Sequence, residues 1–442
     1  MKNIGISNPS KKIRYYGVQD LENLPQLQRL SATKRLEMKA VAQVFPFRVN
    51  NYVIENLIDW DNIPNDPIFR LTFPNGEMLA ADDLDKIVWL LAHDTPTHLT
   101  EFVKSIRSRL NPHPAGQVEY NIPTLNGQPV QGIQHKYPET VLIFPSAGQT
   151  CHTYCTFCFR WTQFAGMDSF KFATRESGNF QDYLRQHKEV TDVLITGGDP
   201  MVMKARHLAL YIEPLLSEEF AHIQTIRIGT KSMAYWPYRF VADDDAAEIL
   251  RLFESVVSSG KHLAIMAHYD HWKELATDIA QEAIRCVRST GAEIRTQGPL
   301  MRGINDNAEV WIRLLQEQVR LGCIPYYIFV ARDTGAKHYF ELPLIRTWEI
   351  FQAATQKLSG LARTVRGPVM STQPGKIVID GVAEIHQEKV FVLSFLQGRY
   401  PDWCKRPFFA RYDPHATWFT ELTPALGKQE FFYSQQMEQM YK

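Results

Sequence analysis

From about residue 136 onward, short apolar runs alternate with longer segments whose apolar residues recur at helical spacing. A short apolar run bounded by turn residues is typical of a buried strand, and strands joined by helices lie parallel to one another. Six such runs are predicted strands: 141–144, 193–195, 223–228, 263–267, 292–297 and 324–330. The predicted helices are 208–216, 246–257, 273–288, 309–321 and 345–358. This order predicts an α/β fold, a partial parallel (β/α)6 barrel whose functional residues follow the strands.

The regions on either side of this alternation have different patterns. Helical spacing at 30–44 and 84–110, separated by prolines, indicates a mainly helical first region. Strand-like runs at 377–379 and 390–395 precede a loop-like end rich in aromatic residues, namely Trp403, Phe408, Phe409, Tyr412, Trp418 and Phe419. We expect this end to pack against the barrel or a second subunit. The predicted division is an N-terminal mainly helical region at 1–135, the barrel at 136–360 and a C-terminal extension at 361–442.

The composition argues against several classes of protein. The chain has 442 residues, of which 45% are hydrophobic and 22% charged, as in an ordinary globular protein. Lys and Arg together number 48, as do Asp and Glu, so no net charge favours nucleic acid or a membrane surface. The six cysteines do not form a secreted disulfide pattern, and no signal peptide is visible. We therefore expect a cytoplasmic protein without a nucleic-acid or membrane partner.

Three cysteines lie within eight residues, directly after the first predicted strand: Cys151, Cys155 and Cys158. Three thiolates can bind three corners of a cubane [4Fe–4S] cluster and leave the fourth iron open for a ligand. A structural zinc site, the main alternative, uses four ligands that commonly come as two separated pairs, and no second pair is present. Disulfides would require an oxidising compartment. The spacing favours the cluster, with zinc as the alternative.

The segment that contains these cysteines resembles the radical S-adenosylmethionine (SAM) superfamily. The resemblance implies that SAM binds the open iron and is cleaved to methionine and a 5′-deoxyadenosyl radical. Thr196, Gly197, Gly198 and Asp199 follow the second predicted strand, where that superfamily binds the methionine part of SAM. An ordinary turn is the alternative for this segment. At the end of the fifth strand, Gln297 and Met301 are candidates for contacts to the adenosine, and core packing is the alternative for both.

A narrower resemblance covers roughly residues 30–400, in order and at similar spacing. The stretches that carry it are 65–70, 135–138, 155–160, 194–199, 226–231, 268–271, 298–306 and 325–329. They resemble the lysine 2,3-aminomutase family, whose members use pyridoxal 5′-phosphate (PLP) in addition to the cluster and SAM. Taken by itself, the pair His268 and His271 is spaced like two metal ligands, but a structural or SAM-facing role is favoured.

The resemblance assigns residues to PLP and to the substrate. Lys376 stands where the family places the lysine that binds PLP as a Schiff base, which requires an amine nucleophile. Lys136 and Tyr137 match positions that touch PLP, and Lys231 matches a contact to its phosphate. Arg160 matches the arginine that binds the substrate carboxylate, a role suited to a bidentate guanidinium.

The chain departs from the family at several of these positions. One glycine, Gly375, replaces a longer glycine run before Lys376, and lysines stand at 136 and 231 where arginines are common. Asp333 fits the first of two aspartates that bind the substrate ammonium in lysine-specific enzymes, but the second position falls near 370–371, which holds no carboxylate. Phe159 and Trp161 are then expected to shape a different pocket. The C-terminal cysteine cluster of the family has no counterpart beyond Cys404.

The sequence thus predicts a radical SAM isomerase that resembles amino-acid 2,3-aminomutases. Its substrate would be a free amino acid, a small molecule, and it would receive electrons from an external reductant of the flavodoxin or ferredoxin type. It would be a monomer or a homo-oligomer. One alternative keeps the radical chemistry without PLP and modifies another metabolite or a peptide residue. A second alternative is a non-catalytic iron–sulfur sensor.

Overall fold

An 11-stranded sheet dominates the computed structural model, which describes residues 12–93, 96–112, 121–166, 172–175 and 177–440. Its strands, in spatial order, are β5 (Ile133–Tyr137), β6 (Thr140–Ile143), β7 (Asp192–Ile195), β8 (Thr225–Thr230), β9 (His262–His268), β10 (Glu293–Leu300), β11 (Ile324–Val330), β12 (Arg366–Ser371), β13 (Gly375–Ile385), β14 (Glu388–Gly398) and β15 (Pro407–Arg411). Two small antiparallel pairs lie outside it: β1 (Tyr15–Tyr16) with β2 (Val49–Asn50), and β3 (Thr124–Leu125) with β4 (Gln128–Pro129).

The strands β6 to β12 are parallel and lie in chain order, whereas β5 and β13 to β15 are antiparallel to their neighbours. All six predicted strands occur, as β6 to β11, within a few residues of the predicted bounds. The α/β class and the mostly parallel sheet are therefore confirmed. Because parallel strands share one carboxyl edge, the segments after β6, β7, β8, β10 and β11 meet there.

The helices of the described chain are Ala32–Val44, Asn51–Asn56, Pro67–Thr72, Ala81–His93, Pro96–Arg109, Trp161–Phe164, Ser177–Gln186, Ala205–Ile212, Ser232–Tyr235, Ala246–Ser258, Asp278–Ser289, Ala308–Arg320, Lys337–Phe340, Leu344–Gln356 and Ser434–Met440. The prediction of one helix at 84–110 is wrong, because a second helix starts at Pro96. Proline disrupts the interior of a helix but is tolerated in its first turn. The helix predicted from 273 begins at Asp278, since Thr277 caps it by accepting from the amide of Ala280 at 3.3 Å. No described helix is long and apolar enough to cross a membrane.

The aromatic C-terminal end packs against the chain's own sheet. Trp403, Phe408, Trp418 and Phe419 share a buried cluster with Val330 at the end of β11. Of the two expected partners, the chain's own sheet is the one observed, and contact with a second subunit stays a prediction. The prediction of a loop-like end is wrong, since β15 and the helix Ser434–Met440 lie in it. In β15, the side chains of Phe408 and Ala410 are buried and those of the residues on either side of them are more exposed. Burial of every second residue is typical of a strand.

The first strand of the sheet contacts the connection between two distant strands. Lys136 of β5 donates from Nζ to the carbonyl of Thr372, which lies between β12 and β13. Nearby, Arg399 donates to Asn121 Oδ1 at 2.7 Å and to the carbonyl of Gln373 at 3.0 Å. Strand β5 crosses the predicted boundary at 135–136, and β12 to β15 extend the same sheet. The division into three regions stays a prediction.

Asp66 joins the N-terminal region to the segment after β9. Its Oδ1 caps the helix Pro67–Thr72 by accepting from the amides of Ile68 and Phe69, each at 2.9 Å. Its Oδ2 accepts from Nζ of Lys273 at 2.6 Å, and the carboxylate is fully buried. One side chain therefore both starts a helix and neutralises a cation from another region of the fold.

We expect Asp66→Ala to lower the free energy of unfolding by about 1–2 kcal/mol, because two amides and Lys273 lose their acceptor. The matched control is Asp59→Ala, which removes an exposed cap that accepts from one amide at 3.2 Å; we expect a change within about 0.5 kcal/mol. Urea unfolding followed by circular dichroism measures both. Equal effects of the two variants would contradict the structural role of Asp66.

Candidate active site

The cysteine loop follows β6 and is fixed by the N-terminal region. Arg48 donates to Thr150 Oγ1 at 2.7 Å, and its own carbonyl accepts from the amide of Tyr154 at 2.9 Å. The amide of Thr156 donates to the carbonyl of Leu71 at 3.0 Å. These bonds hold the backbone on both sides of Cys155. The sequence patterns gave no sign of this contact, because its partners are distant in the chain.

The three cysteines of the loop are free thiols and are half-buried. Burial raises the pKa of Cys158 to about 11 and also raises the pKa of Cys151 and Cys155. Such thiols ionise when they bind a metal. Among the described residues, no group of three His, Cys, Asp or Glu side chains is placed to hold one metal ion. A cubane cluster does not need that geometry, because each cysteine binds its own iron.

His152, between the first two cysteines, has a structural role. Its Nδ1 lies 2.8 Å from Ser232 Oγ, and burial lowers its pKa to about 3, so the imidazole is neutral. The side chain of Asn50 makes a second connection. Its Nδ2 donates to the carbonyl of His152 at 3.2 Å and to that of Tyr235 at 2.8 Å. The cysteine loop is thereby attached to the segment after β8.

The Gly-Gly-Asp segment after β7 packs against the cysteine loop. A Cβ atom on Gly198 would lie 2.4 Å from the carbonyl oxygen and 2.5 Å from the amide nitrogen of Thr150. The amide of Asp199 donates to that same carbonyl at 2.7 Å. The glycine is needed for this approach of two backbones. Thr196 and Gly197 lie beside it at the carboxyl end of the sheet.

The Asp199 carboxylate is occupied by four donors of the protein itself. Oδ1 accepts from the amide of Met201 at 2.9 Å and from Thr230 Oγ1 at 2.7 Å. Oδ2 accepts from the amide of Lys231 and from Ser232 Oγ, each at 2.9 Å. Asp199 thus joins the segments after β7 and β8. This arrangement favours a positioning role over a side-chain contact to SAM.

The two predicted adenosine contacts differ in their surroundings. Gln297 is half-buried near the carboxyl end of β10, at the edge of the sheet where the cysteine loop lies. Met301 is completely buried in the main hydrophobic core. Its amide donates to Asn305 Oδ1 at 2.8 Å, which folds the turn after β10. The geometry favours Gln297 as a site residue and core packing for Met301.

Lys231 lies in a buried ion network. Its Nζ donates to Asp270 Oδ2 at 2.7 Å and to Glu274 Oε1 at 2.8 Å. Burial alone would lower the pKa of Lys231, but the two carboxylates more than compensate and hold it above its usual value. Two carboxylates at this distance would repel a phosphate. The geometry therefore does not favour the predicted contact of Lys231 with PLP.

The two histidines after β9 have partners within the same network. His268 Nε2 lies 2.9 Å from Asp270 Oδ1, and its ring lies 5.6 Å from that of Phe157 in the cysteine loop. His271 Nδ1 accepts from the amide of Lys273 at 3.2 Å. These contacts agree with the structural alternative and not with a histidine metal pair.

The structure brings Lys136, Tyr137 and Lys376 together, although β5 and β13 are far apart in the sheet order. Lys376 Nζ lies 4.9 Å from the ring centroid of Tyr137 and donates to Gln397 Oε1 at 2.7 Å. Burial, with the guanidiniums of Arg227 and Arg366, lowers the pKa of Lys376 to about 7. The neutral form of this amine is therefore accessible near neutral pH, unlike that of an ordinary lysine.

Burial also lowers the pKa of Lys136 well below its usual value, and three further cations contribute: Arg399, Arg332 and Lys376. This concentration of positive charge fits an anionic ligand that carries a phosphate or a carboxylate. Gln397 and Arg332, which line this region, were missed in the sequence analysis. The one available signal was that Arg332 adjoins Asp333 after β11.

Arg160 and Asp333, the predicted substrate contacts, lie on the segments after β6 and β11. The Arg160 guanidinium stacks 4.4 Å from the ring centroid of Phe144, and burial lowers its pKa to about 10. Asp333 is half-buried. Phe159 is exposed beside this region, but Trp161 is buried in the core and donates to Thr334 Oγ1 at 3.1 Å. The predicted pairing of Phe159 and Trp161 in one pocket is therefore not supported.

The chain is similar to known aminomutases over most of its length. It is 31% identical over 420 residues to a protein of Aquifex aeolicus (strain VF5) named "Putative L-lysine 2,3-aminomutase", which covers 95% of this chain and 97% of that protein. It is 25% identical to the glutamate 2,3-aminomutase of Clostridioides difficile (strain 630), over 78% of this chain and 70% of that protein. It is 27% identical to the L-lysine 2,3-aminomutase of Clostridium subterminale, over 77% and 71%.

No protein-family model matches the chain. Among solved structures, the crystal structure of Streptococcus suis SuiB is similar with a TM-score of 0.36 and 15% identity, over 65% of this chain and 59% of that one. A likeness of this size supports no conclusion.

A three-cysteine loop at the carboxyl edge of a mostly parallel sheet, together with these relatives, defines the class as radical SAM enzymes. Within that class, the chain belongs to the lysine 2,3-aminomutase family. Membership of the radical SAM class implies a [4Fe–4S] cluster and SAM.

We expect Gly198→Ala to lower the iron content of anaerobically reconstituted protein by about threefold or more, because the new methyl group displaces Thr150 and with it the cysteine loop. The control is Gly178→Ala, where a Cβ atom meets nothing within 4 Å. Iron and sulfide analysis measures the effect, with circular dichroism to verify folding. Full iron content in folded Gly198→Ala would contradict the proposed packing.

We expect the reactivity of Lys376 to rise with pH through about pH 7 and then level off, because the neutral amine is the reactive form and burial lowers the pKa. Arg227→Gln should move the midpoint upward, since it removes a cation and frees Asp192 from its ion pair. Competitive labelling with acetic anhydride, read by mass spectrometry, gives both midpoints. A profile for Lys376 that still rises at pH 10 would contradict this environment.

Proposed function

We propose that the protein is a PLP-dependent amino-acid 2,3-aminomutase. The observation that carries the proposal is the setting of Lys376: a half-buried lysine whose amine has a pKa of about 7 and lies beside the rings of Tyr137 and Tyr327 and near Lys136. A lysine that is neutral near physiological pH is suited to bind a carbonyl cofactor covalently. The names of the relatives, which are lysine and glutamate 2,3-aminomutases, support the same reaction class.

We also propose that the sheet curves into the predicted partial barrel. In a flat sheet, seven strand spacings of about 4.8 Å, or roughly 34 Å, would separate β5 from β12. Lys136 of β5 nevertheless hydrogen-bonds to Thr372, directly after β12. A strong curvature that brings the two ends of the parallel region towards each other accounts for this contact. It also accounts for one site formed from both ends.

The residues present fit the three cofactors. Cys151, Cys155 and Cys158 would hold the cluster, which supplies the electron that cleaves SAM and so the means to remove a hydrogen atom. Thr196, Gly197 and Gln297 would face SAM, while Gly198 and Asp199 position the loops around it. Lys376 would bind PLP, which supplies an electron sink for the migrating amino group. Lys136 and Tyr137 would lie against that cofactor.

The remaining roles belong to the substrate and to electron supply. Arg160 would bind the α-carboxylate, since its guanidinium is buried and stacked on Phe144 and is thereby fixed in one orientation. Asp333 lies on the segment after β11, next to Arg332, and would help to orient the substrate. A one-electron reductant of the flavodoxin or ferredoxin type would be the protein partner. The cytoplasmic location and the oligomeric state stay predictions.

The test is a reaction of anaerobically reconstituted protein with SAM, dithionite, PLP and a set of amino acids. We expect wild type to form 5′-deoxyadenosine and a β-amino acid, both detected by mass spectrometry. Lys376→Ala should lose the β-amino acid, while Lys389→Ala, which removes an exposed lysine from the adjacent strand β14, should retain it. Isomerisation that is unchanged in Lys376→Ala would contradict the assignment.

Two other outcomes would favour the alternatives. Cleavage of SAM without a PLP requirement would indicate a radical enzyme that acts on another metabolite or a peptide residue. A stable cluster that never cleaves SAM would indicate an iron–sulfur sensor.

A further inference from the structure

Arg332 is a half-buried cation at the candidate site. It lies directly after β11, and its Nη1 donates to the carbonyl of Ser371 at 2.7 Å. Its Nε atom is inaccessible to solvent and has no hydrogen-bond partner in the described part of the chain. A buried N–H group without an acceptor is unfavourable unless a ligand supplies one.

The surroundings of Arg332 hold its guanidinium in place. The guanidinium carbon lies 5.2 Å from the ring centroid of Phe159 and 5.8 Å from that of Trp418. With one aromatic ring on the cluster side and the other in the C-terminal cluster, and with Nη1 bound to Ser371, few other orientations are open to the side chain. A fixed guanidinium is suited to bidentate recognition of a carboxylate.

Arg332 also acts on other cations of the site. It lies close enough to Lys136 to lower the pKa of that amine, after the larger effects of burial and of Arg399. Asp333 is the adjoining carboxylate that favours the charged form of Arg332. The single negative charge of Asp333 does not neutralise the positive charges of Arg160, Arg332 and Lys136. Among these side chains, positive charge is therefore in excess around Arg332 and Lys136.

We propose that Arg332 binds a second carboxylate of the substrate, so that the enzyme acts on an amino acid with an acidic side chain. This inference rests on the proposed function, in which Arg160 takes the α-carboxylate. Both guanidiniums lie against the Phe159 ring, Arg160 at 5.0 Å and Arg332 at 5.2 Å from its centroid, and such a pair matches the two carboxylates of a dicarboxylic amino acid. A side-chain ammonium would instead lie beside Arg332, where like charges repel. Asp333 adjoins Arg332 and is the one carboxylate named at this site, and the 370–371 segment carries no second carboxylate that would compensate an ammonium beside Arg332.

The test is isothermal titration calorimetry of reconstituted protein with L-glutamate and with L-lysine, in the absence of SAM and reductant. We expect wild type to bind L-glutamate at least tenfold more tightly than L-lysine. Arg332→Gln should lose at least tenfold in affinity for L-glutamate and none for L-lysine, and Arg332→Lys should retain part of the preference. The control is Arg406→Gln, which removes an arginine stacked 4.2 Å from the Phe432 ring outside the site.

Circular dichroism of each variant verifies folding. Equal affinities of wild type for the two amino acids, or an unchanged preference in folded Arg332→Gln, would overturn the inference. The titration needs no PLP chemistry, so it stands apart from the test of the proposed function. Wild type that forms the PLP adduct but binds L-lysine more tightly would contradict the acidic substrate alone. Wild type that binds L-glutamate through Arg332 without a PLP adduct would contradict the aminomutase proposal alone.

Discussion

The hydrogen bond from Lys136 to the carbonyl of Thr372 joins two parts of the sheet that lie at opposite ends of its parallel region. Without this approach, Tyr137 and Lys376 would belong to separate surfaces, and the amine of Lys376 would lose the aromatic ring that covers it. The low pKa of Lys376 depends on the same burial. The chemistry proposed for this lysine thus depends on the contact between β5 and the segment after β12, more than on the residues next to it in sequence.

The opposite side of the site is fixed by packing between loops. Thr150 contacts Arg48 from the N-terminal region, Gly198 from the segment after β7, and the amide of Asp199. Asp199 in turn accepts from Thr230 and Ser232 after β8. The cysteine loop therefore takes its shape from three other segments. This explains why Gly-Gly-Asp follows β7: the glycine allows the approach and the carboxylate holds the neighbouring loop.

Much of the fold was predictable because each parallel strand is a short apolar run between helices. The run 324–330 coincides with β11. The roles expected for the cysteine loop and for Lys376 stay predictions. The contacts and elements that the sequence did not predict have a common cause. Strand β5 holds three consecutive polar residues, Gln134 to Lys136, and so shows neither an apolar run nor a period of two. The partners of Lys231 lie 39 and 43 residues away, and Lys136 and Thr372 are separated by 236 residues. Local patterns do not contain such contacts, and for the same reason the environment of Arg332 could not be predicted.

The most direct test of the account is to locate PLP on the chain. Protein incubated with PLP is reduced with borohydride and digested, and the modified peptide is identified by mass spectrometry. We expect a pyridoxyl group on Lys376. Lys136, which lies in the same site, should be unmodified. A pyridoxyl group on another lysine, or on none, would contradict the claim that the curved sheet forms a PLP site around Lys376.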